Sequence, residues 1–183
     1  MPRRCAAQLG PCVVYGALAA GVGGLALVGR YTLLIDGPSG AGKTTLAELI
    51  GRRLGIRVVH LDDFYPGWSG LAEGARMVAD DVLDAQFPGY WRWDWANDRR
   101  GGWVALDPGK DLIVEGVGAV TEASIRAAKR LGDVDTLRVV ADAATRKSRA
   151  LARDRNFAGY WDMWAAQEAR LERVPVDAAV RMG

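Results

Sequence analysis

The chain alternates short, almost wholly apolar runs with stretches in which apolar residues recur every three or four positions. The runs are Tyr31-Thr32-Leu33-Leu34-Ile35, residues 56–61 (IRVVHL), residues 111–116 (DLIVEG) and residues 136–141 around Val139 and Val140, with residues 174–182 as a last, weaker one. Short continuous apolar runs are what strands buried on both faces of a parallel sheet require. Between them the period lengthens. Residues 45–54 place Leu46, Leu49, Ile50 and Leu54 on one helical face, and residues 71–85 repeat Leu71, Ala75, Val78, Val82 and Ala85 behind a Ser69 cap. Residues 121–131 read as a helix stopped by Gly132, Asp142 caps another, and Trp161, Trp164, Ala165, Glu168 and Leu171 continue at helical spacing to Arg173. Helices alternating with apolar strands predict a three-layer α/β/α sandwich: a mostly parallel five-stranded sheet with right-handed crossovers.

One insertion breaks this rhythm. The stretch FPGYWRWDWANDRRGGWVALDPG, residues 87–109, alternates Trp91, Trp93 and Trp95 with Arg92 and Asp94. In an extended segment that spacing puts all three indoles on one face. They form either an aromatic wall for a flat ligand or the apolar lining of a hairpin packed on the core.

The chemistry starts directly after the first apolar run, at GPSGAGKTT: Gly37, Pro38, Ser39, Gly40, Ala41, Gly42, Lys43, Thr44 and Thr45. In this pattern backbone N–H groups wrap an anionic phosphate chain, the lysine reaches the β and γ phosphates, and the Thr44 hydroxyl holds Mg²⁺. Glycine permits the tight turns and the close approach of backbone to phosphate. A helix begins at the loop's end, so its dipole faces the anion. The order strand, loop, helix separates this site from a chance glycine-rich turn.

Ligands in open α/β sheets collect at the carboxyl ends of strands, where the second run delivers Asp62 and Asp63 and the third delivers Glu115. Glu115 fits the orientation of Mg²⁺ or its waters. Asp62 and Asp63 either serve the chemistry or cap the turn before Pro66 and Gly67, and His60 reads as a strand residue rather than a ligand or base. Past Asp142 come Arg146, Lys147, Arg149, Arg153 and Arg155. Such a run is ordinarily a solvated face. After the fourth strand of a phosphate-loop protein it is also where a lid brings guanidinium groups onto a moving phosphate, and at least one of Arg149, Arg153 and Arg155 is expected there.

Composition narrows the function classes. With 183 residues, 50% hydrophobic positions and a net charge of +2, the chain has the core of a single ordinary domain and no basic surface of the kind nucleic acid requires. Cys5 and Cys12 with one histidine provide neither a disulfide framework nor a zinc site, which points to a reducing, cytoplasmic setting. Residues 1–30 form an N-terminal extension, and residues 31–183 the catalytic domain. The apolar, glycine-rich stretch 12–28 leaves three alternatives: a packed segment, a membrane anchor, or an over-extended start. Assembly into a homo-oligomer stays open.

The ordered set IDGPSGAGKTT, LDDFYPGW, IVEGVGA and RALARD, followed by a Trp/Gln/Glu-containing helix, resembles the uridine kinase and phosphoribulokinase branch of P-loop kinases over about residues 31–171. The resemblance implies a P-loop fold with a helical lid, ATP and Mg²⁺, and a small-molecule, nucleoside-like phosphate acceptor. It places the base facing the acceptor hydroxyl on Asp62, with Asp63 at a variable position. The acidic residue of the third run falls on Glu115, and the lid arginines on Arg149 and Arg153. The segment before Tyr31 departs from the family pattern, and the residues that select uridine have no clear counterpart. The rival class is a nucleotide-binding switch without an acceptor. It lacks its own marks here, since neither an Asn-Lys-x-Asp element nor an LSGGQ-like signature is present.

Overall fold

The computed structural model describes residues 29–182; of the expected extension 1–30 all but the last two residues lie outside the described part, and so does the stretch 12–28 with its three alternatives. The elements are β1 (Thr32–Asp36), α1 (Lys43–Leu54), β2 (Arg57–His60), α2 (Leu71–Met77), β3 (Gly89–Asp94), β4 (Arg99–Ala105), β5 (Leu112–Glu115), α3 (Glu122–Leu131), β6 (Val134–Val140), α4 (Ala143–Arg153), α5 (Trp161–Glu168) and β7 (Ala178–Arg181). Five strands form one sheet in the order β2-β5-β1-β6-β7, with every pairing parallel, while β3 and β4 form a separate antiparallel hairpin. The expected architecture is thus observed.

Alternation along β1 divides the core in two. Leu33 and Ile35 point to one face, where α1 contributes Ala47 and Ile50. Leu34 points to the other, packed by Leu71, Met77, Ala127, Ala128 and Trp164 from α2, α3 and α5. Burial of apolar side chains on both faces is why the strands read as continuous apolar runs. On α1 the predicted face is shifted: Ala47, Ile50 and Gly51 are buried, whereas Leu49 and Leu54 are exposed. A Cβ on Gly51 would collide with the Val58 side chain and the Ile56 carbonyl, so the helix packs closely here on a residue without a side chain.

Two other elements are shorter than their patterns. The helix over 71–85 ends as a wider π-helical turn, Val78–Val82, with Val78 and Val82 still buried. The aromatic alternation is also corrected. A register shift between Trp91 and Trp93 breaks the pleat, and β3 stops at Asp94, so the three indoles do not share a face. Trp91 packs edge-on against Trp103, while Trp95 turns back towards Trp68. Among the described residues no helix is long and apolar enough to cross a membrane.

Candidate active site

The phosphate loop joins β1 to α1. Gly40 and Gly42 lie at φ of 76° and 99°, and a Cβ on Gly40 would sit 2.1 Å from the Arg146 carbonyl oxygen. At Gly40 backbone strain and steric exclusion both demand glycine, and at Gly42 the positive φ alone does. Asp36 braces the loop's entrance: its Oδ1 accepts from the N–H groups of Gly37 and Gly118 at 2.7 and 2.9 Å, and Arg138 lies 3.4 Å from Oδ2. Lys43 is buried, and its Nζ donates to the Pro38 carbonyl at 3.2 Å, folded over the loop it is expected to serve.

Parallel register sets His60 beside Glu115. The Glu115 carboxylate is buried, and its Oε1 accepts from Thr44 Oγ1 at 2.9 Å and faces His60 Nδ1 at 2.7 Å. His60 Nε2 faces Glu48 Oε1 at 3.0 Å, so the histidine bridges two carboxylates. Burial alone would push the Glu115 carboxyl up; the His60 hydrogen bond and the Lys43 charge outweigh it and hold it below the ordinary glutamate value. The His60 ring is correspondingly raised, chiefly by its hydrogen bond to Glu115, against the lowering effect of burial. A hydroxyl and an ionised carboxylate side by side next to a phosphate loop fit Mg²⁺, which takes one or two protein oxygens and completes its shell with phosphate and water. No cluster of three or more His, Cys, Asp or Glu suited to a metal occurs among the described residues. His60 is the strand residue that its apolar run predicts, and its place as the last residue of β2 is what sets its ring between Glu115 and Glu48.

Asp62 and Asp63 follow in a 3₁₀ turn, Leu61–Asp63, and face different ways. Asp63 is turned towards the hairpin, where Tyr90 donates to Oδ2 at 3.3 Å and Arg92 lies 3.8 Å away. Asp62 opens into a cavity of about 460 Å³ lined by Ser39, Tyr65, Trp68, Trp95, Arg153, Asp154, Asn156, Phe157, Tyr160 and Trp164, a size that holds a small molecule. Protein atoms crowd the Asp62 carboxyl and raise its pKa by desolvation, against the opposing Lys43 charge. Its side chain nonetheless keeps 60% of its surface open to the cleft, so water damps that rise. Arg153 Nη2 comes within 3.7 Å of Asp62 Oδ2. Arg149, one turn back on α4, is exposed and does not line the cavity.

The aromatic wall differs from the one the alternation predicted. Of Trp91, Trp93 and Trp95, only Trp95 lines the cavity, its Nε1 donating to the Asp62 carbonyl at 2.9 Å. The hub is Trp68, stacked on Tyr160 with ring centres 4.4 Å apart and planes 5° from parallel, with Phe157 stacked at 5.3 Å. Sequence reasoning missed all three: Trp68 follows the Asp62 turn with no periodicity to mark its role, and Phe157 and Tyr160, between α4 and α5, meet it only through the tertiary fold.

No protein-family model matches the chain. Over 86 residues it is 28% identical to a probable gluconokinase of Schizosaccharomyces pombe, a match covering 46% of this chain and 39% of that protein. The chain therefore aligns with well under half the length of this curated relative. Two solved structures superpose on most of it. A possible uridine kinase from Bacillus stearothermophilus is 18% identical, covers 90% of this chain and 95% of its own, and has a TM-score of 0.51. A protein described as a fructose transport system kinase, from a Silicibacter species, is 19% identical, covers 90% and 97%, and has a TM-score of 0.58. At these identities the likeness is one of fold: the chain has the α/β fold of P-loop kinases.

Proposed function

We propose that this protein transfers the γ-phosphoryl group of ATP to a hydroxyl of a small molecule held in the aromatic cavity, with a nucleoside as the first acceptor to test. The observation that carries this reading is that one cavity is bounded both by Ser39 of the phosphate loop and by the Asp62 carboxylate. A donor phosphate and an acceptor hydroxyl would meet between them. Ring faces of Trp95 and Tyr160, each about two-fifths exposed, favour a planar acceptor.

Each residue then has a role. The N–H groups of residues 37–45 cradle the phosphate chain and Lys43 neutralises its β and γ groups. Asp62 orients the acceptor hydroxyl and takes its proton as the new oxygen–phosphorus bond forms and the bond to the β–γ bridging oxygen breaks. Arg153, beside Asp62, stabilises charge on the moving phosphoryl group, and Arg149 on the same helix is a second candidate for that task. Thr44 and Glu115 would hold Mg²⁺, which when bound neutralises phosphate charge. A cytoplasmic setting, where ATP is at hand, belongs to the same reading.

The test is a panel of acceptors with ATP and Mg²⁺, read by ADP production against a control without acceptor. Because the partial relative and the fold neighbours carry names of sugar as well as nucleoside kinases, nucleosides, gluconate and simple sugars belong in it. Stimulation by one acceptor supports the reading. Slow ADP production that no acceptor stimulates would favour a switch-like NTPase.

A further inference from the structure

Two neighbouring residues at the end of α5 reach into different halves of the site. Glu168 Oε1 accepts from the Ser39 N–H at 2.8 Å. Its Oε2 lies 3.6 Å from Arg146, whose Nη1 donates to the Ser39 carbonyl at 3.2 Å. The peptide groups of Ser39 are thus gripped by an acid–base pair whose side chains are only 12% and 17% exposed. Gln167 reaches the acceptor wall: Nε2 donates to the Trp68 carbonyl at 2.8 Å, and Oε1 accepts from the Leu71 N–H at 3.4 Å. One turn earlier Trp164 sets its ring edge-on to Tyr65, with centres 4.9 Å apart.

We infer that Gln167 and Glu168 are positioning residues that join the phosphate loop to the acceptor wall, so that phosphate arriving in the loop is felt at Trp68. The inference rests on the reading of the loop as a nucleotide site. Backbone N–H groups of such a loop attract anions, and the Glu168 side chain already holds one of them. Nucleotide phosphates add like charge beside a carboxylate that is nearly out of water, where repulsion is weakly screened. Glu168 must readjust against Arg146, and Gln167, its covalent neighbour in the same helical turn, carries that adjustment to the Trp68 carbonyl. Neither residue has to touch a substrate for this to work.

The experiment needs no knowledge of the acceptor. AMPPNP with Mg²⁺ is titrated into the full chain, with binding measured by calorimetry and the cavity wall followed by tryptophan emission. Wild-type emission is expected to change on binding. Gln167→Ala, which cuts only the acceptor-side tether, should bind AMPPNP within about twofold of wild type yet lose all but about a quarter of the emission change. Glu168→Gln, matched in shape, should lose it as well, and a Trp68→Phe variant should show that the signal came from this wall. Melting curves identify any variant that has merely lost its fold; the isosteric Glu168→Gln then decides. Full emission changes in both variants, or none in the wild type despite measured binding, overturn the inference. Absence of AMPPNP binding by the wild type is a separate result, which removes the nucleotide reading and this inference with it.

Discussion

The carboxylate of Asp62 and the guanidinium of Arg153 face each other 3.7 Å apart across the mouth of the cavity, each side chain more than half exposed. One comes from the turn after β2 and the other from the last turn of α4. In an exposed setting such a pair contributes little to stability. Its interest is geometric: a candidate base and a candidate phosphoryl-stabilising cation converge on one small volume.

Asp62→Asn keeps size and removes charge. A general base is typically worth about 10² to 10⁴ in rate, so kcat should fall by that order while the Kd for ATP is retained. Asp63→Asn should cost far less, because Asp63 is turned towards Tyr90 and Arg92 of the hairpin. Steady-state kinetics of both variants on whichever acceptor the panel returns decides the matter. A dead Asp63→Asn beside an active Asp62→Asn would put the base one residue away.

Lys43→Ala should abolish turnover, since no other residue replaces the point charge on the β and γ phosphates. The folded state should survive, for the Nζ engages a loop carbonyl and not the hydrophobic core. Thermal melting beside an ADP assay separates the two effects. Unchanged activity at an unchanged Tm would sink the phosphate-loop assignment.

Trp95→Ala should raise the KM for the acceptor more than the KM for ATP, because Trp95 lines the cavity and ties its indole to the Asp62 carbonyl. Trp91→Ala should leave both constants near wild type, since Trp91 packs on Trp103 away from the cavity. Equal rises in both KM values for Trp95→Ala would reduce that residue to a packing role.

Desolvation raises the Asp62 pKa in the folded chain, and the sign of its effects follows. A base must be ionised, so kcat/KM should fall on the acid side at a pH above the ordinary aspartate value of about 3.9, and Asp62→Asn should lack that limb. For stability, a carboxyl with a raised folded pKa disfavours the folded state once pH exceeds its unfolded value. Asp62→Asn should therefore melt at or above the wild-type Tm at neutral pH, and the gain should fade as pH falls towards the ordinary value, below which none is left. Melting curves taken from neutral pH down towards the ordinary aspartate value check this, and a gain that grew as pH fell would overturn it.

Glycine spacing at 37, 40 and 42, the lysine and threonines that follow, and the apolar runs before Asp62 and Glu115 could be read from the sequence because each signal is local. A glycine that must adopt a positive φ, or a strand buried on both faces, is recorded in adjacent residues. These determined the sheet, the phosphate loop and the strand ends at which carboxylates appear. Local spacing failed where the backbone departs from its ideal period. The bulge after Trp91 undid the shared aromatic face, and on α1 the buried face runs through Ala47, Ile50 and Gly51, which leaves Leu49 and Leu54 exposed. Tertiary structure alone decided that Asp62 faces the cavity while Asp63 faces the hairpin, that Trp68 stacks on Tyr160, and that Glu168 seats on Ser39 across 129 positions of chain. The physical reason is that side chains so far apart in sequence share no periodicity. Parallel pairing, which sets the carboxyl ends of β2, β5 and β1 side by side, gathers the segments that carry them.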